Sequence, residues 1–203
     1  MIFYTVKTEV RREIVIKKSK FIATIFPISS LDEAQKKLNE IKMEFRDATH
    51  CPYSLRIGYE RIIERFSDDG EPPRSSGLPI LQELKKTNVT NILLVVTRYF
   101  GGIKLGLGGL NRAYRESAML VLDTAKKVRS LPLVRFDLSL DRVYSGKIRN
   151  ILEHFNARII QENYGDKAEY SVKIEKERKK GFLEALKTVT RGKIRIREVP
   201  SED

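Results

Sequence analysis

The sequence predicts an α+β protein built from two domains, residues 1–130 and 131–203. Its 203 residues suit two domains of about 100 residues each, and an apolar content of 41% is sufficient for packed cores. Short β-branched runs alternate with helical apolar patterns along the whole chain. Ser130 and Pro132 interrupt this periodicity, so the boundary is predicted near residues 129–132.

The first domain is predicted to begin with strands and an amphipathic helix. Residues 2–26 hold runs of β-branched and aromatic residues, IFYTV, EIVI and FIATIF, which are typical of two or three strands. Ser30 and Glu33 have the spacing of a capping box, which satisfies two backbone N–H groups at a helix start. Apolar residues at steps of three and four continue to Phe45, so this helix has one apolar face.

Five further elements are predicted in the first domain. They are strands over 50–58, 61–66 and 91–97, and helices over 79–87 and 109–125. The first two strands turn near Gly58, and the loop SDDGEPPRSSG, residues 67–77, contains several turn-forming residues. Pro79 suits the first turn of a helix, since its missing N–H would be unpaired there. The run ILLVV is typical of a buried central strand.

The second domain has a simpler pattern. Strands are predicted over 133–140, 157–163, 168–175 and 193–199, and helices over 142–155 and 176–189. A tight turn around Gly165 joins the middle strands, and Gly192 ends the second helix. The order βαββαβ predicts a ferredoxin-like domain.

Composition narrows the classes of function. The net charge is +12 and both domains are basic, which attracts nucleic acid, anionic membranes or phosphorylated ligands, or only keeps the chain soluble. Cys51, His50 and His154 are the only Cys and His residues, too few for a zinc site with four ligands, and no disulfide can form. The longest apolar run, Ile92–Val96, is far shorter than the ~20 residues of a membrane-spanning helix. We therefore expect a cytoplasmic protein without a membrane partner.

The segment RYFGGIKLGLGGLNRAYR, residues 98–115, is the strongest candidate for a binding site. It holds five of the 12 glycines and four cations without an acidic residue. The predicted anion-binding residues are Arg98, Gly101, Gly102, Lys104, Gly106, Gly108, Gly109, Arg112 and Arg115. Glycines let backbone N–H groups approach a ligand closely, and a following helix start favours phosphate.

This segment does not match a known nucleotide motif. The Walker loop needs Gly-Lys followed by Ser or Thr, and Asn111 stands where a dinucleotide fingerprint needs glycine. The alternative is that the glycines only form a tight, closely packed turn between strand and helix.

An acidic loop precedes this segment. Asp68, Asp69 and Glu71 could hold Mg²⁺ or act as acid and base. Two structural alternatives are favoured: a turn, because Asp-Gly and Glu-Pro are turn dipeptides, and an ion pair with Arg98 or Arg74 that holds the loop. No catalytic residue, metal site or cofactor is therefore predicted.

His50 and Cys51 are neighbours, which invites a nucleophilic mechanism. Adjacent strand residues point to opposite faces, so the two side chains do not readily form a catalytic pair. Cys51 is interpreted as a core residue. His50 remains a possible site residue beside the acidic loop, as does Arg74.

The motifs DDGEPPRSSGLPIL (68–81) and VVTRYFGGIKLGLGGLNRAY (95–114) closely resemble the signature of the IMPACT family, bacterial branch. The resemblance covers about residues 17–125, and the remainder is similar to the small C-terminal domain of bacterial members. It implies a ribosomal protein S5 domain 2-like fold for the first domain. For the second it implies the fold of the last domain of elongation factor G.

Two departures from the family pattern concern chemistry. Arg74-Ser75-Ser76-Gly77 stands where the family usually has Gly-Thr-Ala-Gly, and Leu107 stands where Leu-Gly-Thr-Gly-Gly has threonine. Loss of two threonine hydroxyls weakens catalysis or metal ligation that depends on them. It leaves the glycine backbone and the arginines intact, which favours binding.

The leading hypothesis is a non-catalytic protein that binds RNA or the ribosome and regulates translation. The fold relatives act on the ribosome, and eukaryotic members of the family regulate translation, so the resemblance supports this by analogy. One alternative is a metal-assisted phosphate-ester hydrolase or transferase that uses the acidic loop with Arg98 and Lys104. Another is a module that binds a translation-related protein through the second domain's sheet or the basic stretch 176–180. The sequence leaves the target and the oligomeric state open.

Overall fold

The computed structural model describes residues 2–200, and the chain divides into two compact units between Ser130 and Leu131. Each unit combines helices with antiparallel strands. The predicted α+β class is therefore confirmed. Within residues 2–200, no helix is both long enough and apolar enough to span a membrane.

The first unit contains seven strands and three helices within its described part. In chain order they are β1 Phe3–Val6, β2 Val10–Ile16, β3 Ser19–Pro27, α1 Leu31–Glu44, β4 Tyr53–Ile57, β5 Ile63–Ser67, α2 Gly77–Lys86, β6 Ile92–Tyr99, α3 Gly106–Thr124 and β7 Lys127–Ser130. Five strands form an antiparallel sheet in the order β2-β3-β6-β4-β5.

Helices cover both faces of this sheet. Leu94 and Val96 of β6 pack with α2 and α3, whereas Leu93 and Val95 pack with α1. All four side chains are at most 1% exposed. This explains why β6 is apolar without alternation, because a strand buried on both faces has no polar side.

The start of α1 is close to its prediction. The Ser30 hydroxyl accepts a hydrogen bond from the Glu33 N–H at 3.2 Å. The Glu33 carboxylate bonds to the N–H of Ser29, at 2.7 Å, rather than to that of Ser30. The helix therefore begins at Leu31, with both parts of a capping arrangement in place.

Two features of the first unit differ from the prediction. Helix α3 begins at Gly106 rather than near Gly109, so Gly106, Gly108 and Gly109 belong to its first turn and not to a loop. In addition, β1 pairs with the unpredicted strand β7 in a two-stranded antiparallel ribbon, in which Phe3 lies opposite Ser130. Val6 of β1 is 2% exposed and packs into the core beneath α3.

The second unit has four strands and two helices in residues 131–200. They are β8 Leu133–Asp141, α4 Ser145–His154, β9 Arg158–Tyr164, β10 Lys167–Glu175, α5 Lys179–Val189 and β11 Ile194–Val199. The antiparallel sheet has the order β11-β8-β10-β9. Its core includes Ile148 of α4, Phe182 of α5 and Phe136 of β8. The predicted ferredoxin-like order βαββαβ is confirmed.

Candidate functional site

Glu71 of the acidic loop lies at the centre of a buried polar cluster. Its carboxylate accepts hydrogen bonds from the Arg98 guanidinium at 2.6 Å and from the Tyr114 hydroxyl at 2.7 Å. The side chains of Arg98 and Glu71 are 7% and 2% exposed. The guanidinium also lies 5.6 Å and 5.5 Å from the ring centres of Phe21 and Phe100. Burial raises the pKa of Tyr114, and the Glu71 charge raises it further, so its hydroxyl stays protonated.

Arg98 therefore does not face solvent, and its predicted role as an anion-binding residue is wrong. Its positive charge is matched internally: the sequence suggested an ion pair between the acidic loop and Arg98 or Arg74, and the structure forms it between Glu71 and Arg98. Because only 7% of its side chain is exposed, Arg98 offers little surface to a phosphate. The four cations of the segment look equivalent in sequence, but β6 places Arg98 on the side of the sheet that meets α3.

Asp68 holds the start of α2. One carboxylate oxygen accepts hydrogen bonds from the N–H groups of Ser76 and Gly77 at 3.1 Å and 2.9 Å, and from the Ser76 hydroxyl at 2.7 Å. The other accepts the N–H of Arg74 at 2.7 Å. Burial alone would raise the pKa of Asp68, but these hydrogen bonds outweigh it and lower the pKa. The carboxylate thus supplies the N-terminal cap that α2 otherwise lacks.

We expect Asp68→Ala to lower the free energy of unfolding at pH 7 by about 1–2 kcal/mol, as loss of a helix cap does. The pKa of Asp68 is lower in the folded chain than its ordinary value of about 3.9. Its contribution is therefore complete above pH ~4 and is lost as the pH falls below that value. Urea unfolding from pH 7 to pH 3 checks this: the difference from wild type should shrink on acidification. Exposed Asp123→Ala is the control, with a change within about 0.5 kcal/mol.

Asp69 ties the loop to two other elements. Its carboxylate accepts the N–H of Cys51 at 2.8 Å and the Lys42 ammonium of α1 at 2.8 Å. Burial opposes ionisation, yet the bonds from Lys42 and Cys51 lower the pKa of Asp69. His50 lies beside the loop, with Nδ1 2.8 Å from the carbonyl oxygen of Asp69. Because a carbonyl only accepts, Nδ1 must carry the proton.

Cys51 is a core residue with its side chain 3.7 Å from the Thr97 hydroxyl. Burial raises the pKa of its thiol, so the nucleophilic thiolate is disfavoured at neutral pH.

The three carboxylates of the acidic loop, Asp68, Asp69 and Glu71, connect α1, α2, β6 and α3 instead of converging on one point. This arrangement serves as an internal clamp, and it leaves few free oxygens for a metal ion or for acid–base chemistry.

The five glycines of residues 98–115 differ in whether the structure could accept a side chain at their position. A Cβ atom on Gly101 would lie 2.0 Å from the backbone of Lys18, so this glycine is needed for close packing. Gly102 and Gly106 have φ of +84° and +70°, which only glycine adopts readily. A Cβ on Gly108 would meet nothing within 4 Å. A Cβ on Gly109 would approach the Leu105 side chain at 3.1 Å.

The remaining cations divide into two groups. Lys104 and Arg112 are exposed, and neither has an ion-pair partner among residues 2–200. Arg115 instead turns toward α2, where it donates to the Gln82 side chain and lies 3.8 Å from a Glu83 oxygen. The exposed part of the segment therefore consists of Lys104 and Arg112 with Gly102, Gly106 and Gly108, while Arg98, Gly101 and Arg115 hold the fold together.

Sequence reasoning missed a neighbour of this segment. The Gly101 N–H donates to the Ser19 hydroxyl at 3.2 Å, although the two residues are 82 positions apart. This contact brings the β2–β3 turn, Lys17 and Lys18, next to the glycine segment. The only sequence signal was the short spacing of four residues, 17–20, between the runs EIVI and FIATIF, which is typical of a hairpin but does not give its location.

The basic stretch 176–180 of the second unit is not one continuous helix. Lys176–Arg178 form a 3-10 turn, and α5 begins at Lys179. Arg178 lies 3.2 Å from Glu175, and Lys179 lies 2.6 Å from Glu198, so both charges are matched within the unit. The helix predicted to begin at residue 176 is corrected accordingly.

Two family models match the chain. The Impact N-terminal domain matches residues 17–122, and a domain of unknown function, DUF1949, matches residues 145–193. The chain is 37% identical to IMPACT family member YvyE of Bacillus subtilis, over 97% of this chain and 90% of that protein. It is 33% identical to the IMPACT family member in the pol 5′ region of Thermus thermophilus, over 89% of this chain and 98% of the relative.

A solved structure described as a hypothetical protein superposes with a TM-score of 0.73 at 27% identity, covering 99% of this chain and 98% of the other. Eukaryotic relatives match a shorter region. Protein IMPACT of Rattus norvegicus is 34% identical over 44% of this chain and 29% of its own length. The family models and the bacterial relatives agree with each other, and the chain belongs to the IMPACT family.

Proposed function

We propose that this chain is a non-enzymatic, cytoplasmic RNA-binding protein that acts in the regulation of translation. Its interface is the exposed segment Gly102–Arg112. One observation carries the proposal: Lys104 and Arg112 are exposed, have no ion-pair partner among residues 2–200, and flank glycines whose backbone is open to solvent. Phosphates are the ligands that such a combination of cations and accessible N–H groups suits best.

The placement of Gly108 supports a ligand that approaches the backbone. Gly108 and Arg112 are four residues apart on α3, so they lie on the same face of the helix. Glycine weakens a helix, and nothing in the described chain fills the space where its side chain would be. A phosphodiester lying against this first turn would gain the positive end of the helix and the Arg112 charge together.

Binding is favoured over catalysis by the contacts of the acidic loop. Asp68, Asp69 and Glu71 each hydrogen-bond to other parts of the chain, as a structural clamp does. A metal-assisted hydrolase would need at least some of these oxygens free to face a substrate. Translation as the setting rests on the resemblance of the two folds to a domain of a ribosomal protein and a domain of an elongation factor, which is an argument by analogy.

Neutralising the two exposed cations is expected to weaken RNA binding in a way that depends on salt. We expect Lys104→Gln/Arg112→Gln to reduce the slope of log K against log salt concentration by about 1.4, since each phosphate contact on a single strand contributes about 0.7. This slope is measured by fluorescence anisotropy with a labelled RNA oligonucleotide, at salt concentrations from about 50 to about 300 mM.

The matched control is Lys147→Gln/Lys180→Gln, which removes two exposed charges from the second unit. Its slope should stay close to wild type. A second arm, Gly108→Gln, should bind RNA more weakly while the helix is no less stable, because its side chain occupies the open space. Equal slopes for the two charge variants would reject this segment as the interface.

A further inference from the structure

The turn between β2 and β3 has an unusual composition. Lys17 and Lys18 form its two central positions, with φ of 46° and 65°. Two-residue hairpin turns with both φ values positive strongly prefer Asn-Gly or Gly-Gly, because other side chains are strained there. Two lysines at these positions oppose the local backbone preference. Departures of this kind are expected where a side chain serves function rather than folding.

This turn is fixed beside the glycine segment. The space where a Gly101 side chain would be is filled by the Lys18 backbone, and the Gly101 N–H bonds to Ser19 at 3.2 Å. Both lysines are exposed, and neither has an ion-pair partner among the described residues. The nearest acid on the hairpin, Glu13, already lies 3.7 Å from Lys20.

Phe100 adds an exposed aromatic surface next to the residue that contacts this turn. It directly precedes Gly101, and 46% of its surface is exposed. The Arg98 guanidinium lies over the ring at 5.5 Å from its centre, and the Phe100 N–H donates to the Thr49 hydroxyl at 3.1 Å. An aromatic ring held in place on one side and exposed elsewhere suits stacking against a nucleic-acid base.

We propose that Lys17, Lys18 and Phe100 make this surface a site for single-stranded RNA, with the lysines on phosphates and an unpaired base on Phe100. The inference rests on the proposed function and specifies its substrate class. Stacking selects the single strand, since bases within a duplex have both faces covered by their neighbours. A cationic turn beside the segment that carries one exposed ring suits a strand in which phosphates and bases alternate.

The first test replaces the turn by its preferred sequence, Lys17→Asn/Lys18→Gly. We expect the melting temperature to be equal to or higher than that of wild type, because the strain is relieved. Affinity for a labelled 12-nucleotide oligouridylate should fall roughly 10-fold at 0.1 M salt, and the salt slope should fall by about 1.4. Lys147→Gln/Lys180→Gln is again the charge-matched control. Unchanged affinity in the turn variant would show that the lysines only form a turn.

The second test concerns the ring. Phe100→Leu keeps an apolar side chain but removes the stacking surface, and we expect about a 10-fold loss of affinity for the single strand. Binding of a 12-base-pair RNA duplex should be weaker in wild type and insensitive to this substitution. Duplex binding as tight as single-strand binding, or tighter binding of a polyglutamate peptide, would overturn the assignment.

The two proposals fail in different ways. Absence of RNA binding by the unmodified chain overturns both. Binding that depends on Lys104 and Arg112 but not on Lys17, Lys18 or Phe100 overturns only the single-strand site and leaves the proposed function intact.

Discussion

Glu71→Gln is expected to lower the free energy of unfolding by about 3–5 kcal/mol, the usual cost of removing one partner from a buried ion pair. The substitution preserves the size of the side chain but leaves the Arg98 charge uncompensated, with only 7% of that side chain exposed. The Tyr114 hydroxyl also loses its charged acceptor, at 2.7 Å in the native chain. Urea denaturation followed by circular dichroism measures the change.

A double substitution separates charge from packing. Glu71→Leu/Arg98→Met removes both charges together, and we expect it to be closer to wild type than Glu71→Gln, because no isolated charge remains buried. Arg98→Met alone should also be strongly destabilising, since it leaves the Glu71 carboxylate without its cation. A Glu71→Gln protein within 0.5 kcal/mol of wild type, roughly the effect of a surface change, would contradict the central role of this pair.

Alanine substitutions at Gly101, Gly102 and Gly108 are expected to change the free energy of unfolding by clearly different amounts. Gly101→Ala should cost about 3 kcal/mol or more, because its Cβ would lie 2.0 Å from the Lys18 backbone, which cannot move without opening the hairpin. Gly102→Ala should cost about 1–2 kcal/mol, since φ is +84° but the space is open. Gly108→Ala should be neutral or stabilising by up to ~1 kcal/mol, because the helical backbone suits alanine.

The three variants differ by one methyl group each, so they act as controls for one another. Thermal unfolding should rank them in the order Gly108, Gly102, Gly101 from most to least stable. A Gly101→Ala protein as stable as the Gly102 variant would mean that the hairpin turn is not held firmly against this segment. In that case the spatial basis for placing Lys17 and Lys18 in the interface would also be lost.

Local sequence patterns were sufficient for most of the fold. The capping residues at Ser30, the apolar face that follows, and the order βαββαβ all reflect interactions between residues a few positions apart. The β1–β7 ribbon depends on contacts between opposite ends of the first unit, and its four-residue strands carry too little pattern to be recognised. The sequence predicts a later start for α3, near Gly109, because glycines usually indicate a loop, whereas the helix begins at Gly106.

The candidate site was predictable only in part, for a related reason. The segment 98–115 contains no acidic residue, which suggested four free cations, but Glu71 approaches Arg98 from 27 positions earlier in the chain. Charge neutrality is decided in space and not along the sequence. The sequence suggests an ion pair between the acidic loop and Arg98 or Arg74, but not which of the two forms it. It gives no sign that Lys17 and Lys18 lie next to the segment 98–115, because that contact joins residues about 80 positions apart.

The β1–β7 ribbon determines when the first unit can complete its fold during translation, and which fragments of it can fold. Because its two strands are the first and the last of the unit, this part of the fold cannot close until β7 has left the ribosomal tunnel. A fragment trimmed to the family match, residues 17–122, would lack both strands and β2 as well, so the core would lose Val6 and the β2 side chains that pack on it. Fragments intended to fold independently should therefore retain the chain from β1 through Ser130.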